Sequence, residues 1–211
     1  LAYSYPHAIA VSNKYIYVGN NTSRIWIHLK GNRINSMNNH NAGSNLSYSW
    51  GMSLNSSDSK LIIGDYVKNR LAEFRINNTS FSSGGQAMLS YVKATSSSYS
   101  SSNGYFSRPT DGAYDSSGNI YGLDLYNHRM QKFNSSLVYQ AKTGSYSTSS
   151  GFRYPYGMHI DSSDNIYVTD FYNYAVRKYN TSLSETATYG GGGGTLLDAA
   201  KKVIKKIVSN T

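Results

Sequence analysis

Five histidines are the first residues to weigh for chemistry: His7, His28, His40, His128 and His159. None stands at the H-x-H or H-x-x-x-H spacing that puts two imidazoles on one metal or one proton. Folding offers one route to a site, a meeting of His7 and His159 near an axis. We read all five instead as surface or half-buried rings. Serine is abundant, yet no Gly-x-Ser-x-Gly elbow occurs. Asp161-Ser162-Ser163-Asp164-Asn165 has the spaced carboxylates of a calcium loop, but lacks its sixth-position Gly and twelfth-position Glu. The chain has no Cys, which excludes a thiolate nucleophile, a Cys-ligated metal and a disulfide framework. No catalytic residue, metal ligand or cofactor is therefore expected.

The carboxylates that recur, Asp65, Asp124 and Asp170, fall one to a repeat. Catalytic carboxylates must face one substrate, so these read as scaffold, together with Asn127 and Asn173. The repeats that place them are clearest in the second half. Tyr114-Asp115-Ser116-Ser117-Gly118-Asn119-Ile120-Tyr121 aligns without gaps with Ile160-Asp161-Ser162-Ser163-Asp164-Asn165-Ile166-Tyr167. Arg108-Pro109 precedes the first and Tyr154-Pro155 the second. Looser copies start at Tyr5-Pro6 and Trp50-Gly51, so Ile16, Leu61, Ile120 and Ile166 recur at roughly 45-residue intervals. A Ser-rich insert near Thr95–Asn103 lengthens one interval. Each copy reads as short β-rich runs separated by Asp, Asn, Ser and Gly turns, with a fourth, outer strand over Ser184–Tyr189 in the last copy.

Short antiparallel strands repeated at this period predict an all-β chain: a β-propeller of about four four-stranded blades over residues 1–189, a small closed ring ahead of an open arc completed by another chain or a ring with further, uncounted blades. Residues 190–194 then form a glycine linker, and 195–211 a short C-terminal α-helix. Pro109 to Phe133 and Pro155 to Tyr179 resemble the NHL-repeat family of β-propellers, with Asn127-His128-Arg129 similar to its naming signature. The resemblance implies the propeller fold. It also brings two activities found among such propellers, a lyase using axial histidine and a metal, and RNA binding through a basic face.

Charge bears on the second activity. Lys+Arg is 20 against Asp+Glu 11, a net +9, but the only dense run is Lys201, Lys202, Lys205 and Lys206. Arg24, Arg70, Arg129 and Arg177 recur near the third strand without forming a block, so nucleic acid is not the expected partner. In the terminal segment Thr195 and Asp198 form a capping-box pattern. Leu196, Leu197, Ala200, Val203, Ile204, Ile207 and Val208 fill one half of a helical wheel opposite the lysines. Such a helix docks into a partner's groove, lies on an anionic membrane surface, or folds back on its own propeller. The glycine tether favours a partner subunit.

Asn-x-Ser/Thr sequons begin at Asn20, Asn21, Asn45, Asn55, Asn77, Asn78, Asn134 and Asn180, all glycosylation candidates in an exporting cell. Leu1–Ser4 has neither the charged nor the apolar region of a signal peptide, and a start at Leu leads us to expect a processed chain or a fragment. Low charge with 21 Tyr and abundant Ser and Asn resembles surface and virion proteins of thermoacidophilic archaea. The resulting expectation is a non-enzymatic structural or adhesive subunit outside the cell or on a particle. A tail or nozzle component of a spindle-shaped archaeal virus fits, as a homo-oligomer. A propeller lyase or hydrolase and an RNA-binding module are the alternatives.

Overall fold

The structure, a computed structural model, describes residues 5–30, 37–41, 45–77 and 89–191. They form four four-stranded antiparallel sheets, each a meander of consecutive strands. Blade 1 holds β1 (Pro6–Val11), β2 (Tyr15–Asn20), β3 (Arg24–Leu29) and β4 (Met37–Asn41). Blade 2 holds β5 (Ser49–Leu54), β6 (Lys60–Asp65), β7 (Arg70–Ile76) and β8 (Leu89–Ala94). Blade 3 holds β9 (Pro109–Tyr114), β10 (Ile120–Asp124), β11 (Arg129–Phe133) and β12 (Tyr139–Thr143). Blade 4 holds β13 (Pro155–Ile160), β14 (Ile166–Asp170), β15 (Ala175–Tyr179) and β16 (Glu185–Gly190). The chain is a four-blade β-propeller, and the Ser-rich insert is the connection from β8 to β9. The outermost strand of blade 4 includes Gly190, which pairs with Ala175, so the first glycine of the expected linker is ladder. The expected helix, Leu196 to Val208 with its four lysines, lies outside the described residues, as does Asn78.

The turns show why the sequence repeats. Entering the inner strand, Tyr5, Arg108 and Tyr154 each take a left-handed φ of 45°, 56° and 60°. Between the first two strands of a blade, Asp58, Gly118 and Asp164 do so; between the second and third, Asn69, His128 and Tyr174; before the fourth, Leu137 and Leu183. Most of these are not glycine, so the ladders on either side impose the conformation against local preference.

Strand geometry puts alternate residues of each blade on its two faces, and β6 and β10 are buried on both. The leading face packs on the preceding blade and the trailing face receives the next. Tyr15, Tyr17, Ile25 and Ile27 of blade 1 meet Leu61, Ile63 and Phe74 of blade 2. Ile62 and Leu71 of blade 2 meet Phe106, Ile120 and Phe133 of blade 3. Tyr121, Leu123 and Met130 of blade 3 meet Phe152, Ile166, Val168 and Tyr179 of blade 4. Among the described residues no apolar cluster joins blade 4 to blade 1. The innermost strands β1, β5, β9 and β13 pack one on the next in that order.

Candidate functional site

The recurring aspartates sit at the end of the second strand of blades 2, 3 and 4, fully buried. Asp124 accepts from the Ser107 amide at 2.7 Å, Asp170 from the Arg153 amide at 2.6 Å, and Asp65 from Ser47 and Tyr48 at 3.2–3.3 Å. Their backbone bonds thus run back to the segment entering the inner strand. The following turn is tied by side chains: Asn127 Nδ2 donates to Asp124 and Asn173 Nδ2 to Asp170. Arg129 Nε donates to Asp124 Oδ2, and Arg177 Nε to Asp170 Oδ2, both at 2.7 Å. The guanidinium groups also hold serine carbonyls of the entering loops, Arg129 those of Ser101 and Ser102 and Arg177 that of Ser149. Burial pushes the Asp65 and Asp124 carboxyls up, against these donors. Blade 1 carries Asn20 at the same register position, where it accepts from Thr22.

This hub arranges the residues above it. The short segments on either side of each aspartate project aromatic rings from one face of the propeller. His7 stacks on Trp50 at 4.9 Å, and Trp50 on Tyr66 at 4.7 Å. Tyr156 meets Trp50 edge-on at 5.5 Å and continues to Phe171 at 5.4 Å. Phe171 leads to Tyr172, Tyr172 to Tyr154, and Tyr154 to both Tyr126 and His128. Tyr66, Tyr126, Tyr154, Tyr156, Phe171 and Tyr172 line an open cavity of about 690 Å³, with Arg153 at its wall. Tyr126 and Tyr172 are 48% and 46% exposed. Arg108 lies 5.0 Å over the Tyr66 ring and Arg153 5.4 Å over Tyr172. Burial raises the phenols of Tyr48 and Tyr156, and pushes Tyr66 up to about 12, so these rings stay neutral. His128 is lowered by burial, and its Nδ1 accepts from the Tyr154 amide at 3.1 Å.

A second cavity, about 620 Å³, opens among the hairpin turns that follow the inner strands. It is lined by Ile9 and Val11, by Met52–Asn55, by Tyr114 and Asp115, and by His159, Asp161 and Asp164. Its carboxylates are committed. Asp115 accepts from Asn119 and Tyr121, and Asp161 from Ser163, Asn165 and Tyr167. Asp164 reaches across to Ser116 of blade 3, at 2.8 Å to the amide and 2.6 Å to the hydroxyl. Among the described residues no three acidic or imidazole groups are grouped to hold a metal.

His159 lines this hairpin-end cavity while His7 belongs to the aromatic face, so the axial pairing weighed from the sequence does not form. Arg70, Arg129 and Arg177 each pair with the aspartate of their own blade, which removes them from any basic face. The sequons divide by exposure. Asn20 is 2% exposed, whereas Asn21, Asn45 and Asn180 are exposed; Asn55, Asn77 and Asn134 are half-buried. Asn134 and Asn180 each accept two backbone amides through Oδ1. Asn55 uses its side-chain amide on Ser57 and Ser59. The aromatic face escaped the sequence reading because its members are scattered. The signal was there: Tyr66, Tyr126, Phe171 and Tyr172 each fall one or two residues past a hub aspartate.

No protein-family model matches the sequence, and no curated protein matches it. Solved structures do. A streptogramin B lyase superposes with a TM-score of 0.60 at 12% identity, over 88% of this chain and 54% of that one. A virginiamycin B lyase from Staphylococcus aureus gives 0.60 at 12%, over 87% and 55%. A catalytically inactive form of that lyase with quinupristin gives 0.60 at 12%, over 88% and 55%. The chain spans about half the length of these lyases. The likeness shows the propeller fold. No helix among the described residues is long and apolar enough to cross a membrane.

Proposed function

We propose that this chain is a non-enzymatic structural and adhesive subunit, displayed outside the cell or on a particle, that holds saccharide on its aromatic face. The continuous run His7–Trp50–Tyr66–Tyr156–Phe171–Tyr172–Tyr154–Tyr126 carries the reading. Neutral rings with an apolar body and a polar tip suit sugar rings, which offer C–H faces and hydroxyl edges. Arg108 and Arg153 supply donors at the margin. The C-terminal amphipathic segment belongs to the same proposal as a tether to a partner subunit or membrane. So do NHL kinship and a virion tail role, which rest on the repeat motif and on composition.

The test is binding of mannan, cellohexaose and polygalacturonate, followed by tryptophan fluorescence and calorimetry. At least one should bind, and Trp50→Ala should weaken it tenfold or more while the far-ultraviolet spectrum stays unchanged. Failure of all three, or binding indifferent to Trp50, overturns the saccharide reading. Turnover of a streptogramin by the purified chain, lost in His159→Ala, would replace it with a lyase. Salt-steep binding of single-stranded RNA would replace it with the RNA-binding module.

A further inference from the structure

Tyr121 and Lys132 of blade 3 form a latch on blade 4. Lys132 Nζ lies 5.4 Å over the Tyr121 ring and donates to the Thr181 carbonyl at 2.8 Å; the Tyr121 hydroxyl donates to the same carbonyl at 3.3 Å. Blade 2 reaches the equivalent turn of blade 3 from its fourth strand, Lys93 donating to the Ser135 carbonyl. Blade 4 repeats the apparatus. Tyr167 and Lys178 pair across the ladder as Tyr121 and Lys132 do, and Lys178 Nζ stands 5.5 Å over the Tyr167 ring. No described residue accepts a hydrogen bond from Lys178 Nζ.

The other end of the array is the complement. Ile9, Val11, Ile16 and Val18 share the leading face of blade 1 by register. On the other blades this face is core. Met52 and Met158, at the register position of Ile9, pack into the clusters between blades, as do Leu54 and Ile160, at that of Val11. In blade 1 Ile9 is 63% and Val11 51% exposed. Such apolar exposure on a sheet face calls for a cover.

We infer that a second copy of this chain supplies it, the trailing face of blade 4 of one copy seating on the leading face of blade 1 of the next. The interface continues the packing already used three times inside the chain. By register the counterpart of Thr181 is Lys30, just after β3, so Lys178 of one copy donates to the Lys30 carbonyl of its neighbour. The contact is heterologous, and such contacts close into a ring when the rotation allows. An arc that superposes on about half of longer propeller chains is completed by one further arc. Two copies therefore close the ring, with two identical contacts. The inference deepens the reading as an assembly subunit by naming the partner and the surface.

Sedimentation and native mass spectrometry of the 211-residue chain test it. The expected species is twice 23.3 kDa. Ile9→Glu and Lys178→Glu should each yield monomers with unchanged far-ultraviolet spectra. An equal mixture of the two should restore pairs, because one intact contact forms between Lys178 of the first variant and Ile9 of the second. A monomeric parent chain, or pairing indifferent to both changes, overturns the inference. Pairing lost on deleting residues 192–211, or gained only then, assigns the association or the covered face to the C-terminal segment and also overturns it. Saccharide binding by a monomer would leave the functional reading standing while this inference falls.

Discussion

Arg177 reaches Asp170 from a strand position two residues beyond the one from which Arg129 reaches Asp124. The ladders make this plain: Asp124 pairs with Arg129 directly, whereas Asp170 pairs with Ala175 and Arg177 faces Val168. In blade 3 that further position is Gln131, which also donates to Asp124, at 3.3 Å. One buried carboxylate thus draws a guanidinium from either of two sites on the same face, which indicates that the ion pair itself is what blades 3 and 4 require. Removing one partner of a buried pair leaves the other uncompensated. Arg177→Ala should lower unfolding free energy by about 3–5 kcal/mol in a denaturant titration. Arg177→Leu with Asp170→Leu should cost less than the two single changes together.

Asp164 latches blade 4 to Ser116, and Asp58 of blade 2 reaches the Asn13 amide of blade 1 at 3.2 Å. At the same turn blade 3 has Gly118, φ +81°, with nothing near where a Cβ would stand. It shares a surface pocket with Ser56 of blade 2. Gly118→Asp should lower stability by about 1 kcal/mol, because a Cβ at φ +81° is strained even where the space around it is open. Asp164→Ala should lower it. Thermal melts of both variants check the pair; an Asp164→Ala protein melting at or above the parent would refute the latch.

Gly51 lies against β9 where the inner strands converge. A Cβ there would stand 2.5 Å from both the Thr110 carbonyl oxygen and Asp111 Oδ1. The first is backbone and the second is held by hydrogen bonds, so neither yields cheaply. Gly51→Ala should cost roughly 1–3 kcal/mol, the scale of overpacking, read as a lowered denaturant midpoint.

Asp111 accepts the Met158 amide of blade 4 and its neighbour Gly112, both at 2.9 Å. Burial outweighs these donors and raises its carboxyl from 3.8 to about 7. Between those values the folded chain binds a proton that the unfolded chain has released, so stability falls as pH rises through that window. Denaturant midpoints measured from pH 4 to pH 8 should decline at this group's expense, with a smaller decline in Asp111→Asn. A parent profile rising across the range would contradict the assignment.

Most of the blade was legible because turn chemistry and strand alternation agree at each repeat. Asp115-Ser116-Ser117-Gly118-Asn119 marks a hairpin on residue type alone, and Asp161-Ser162-Ser163-Asp164-Asn165 repeats it. The Ser-rich insert was legible as an insert, but not its order, which comes from Arg129 donating to distant serine carbonyls and from Phe106, fully buried at its end. That no apolar cluster among the described residues joins blade 4 to blade 1 was not legible. Ile16 and Val18 are the same residue types as the buried Ile166 and Val168, and only the neighbour across the face distinguishes them.

The left-handed turn residues have a further meaning for the aromatic face. Tyr154, Arg108, His128 and Asn69 occupy positions whose backbone is dictated by the ladders beneath them, and the side chain has little say in the shape. Each is a socket: the scaffold fixes where a side chain emerges, and the sequence chooses which one. A protein built this way can trade one ligand for another by single substitutions at the rim, its specificity drifting while its architecture stays still.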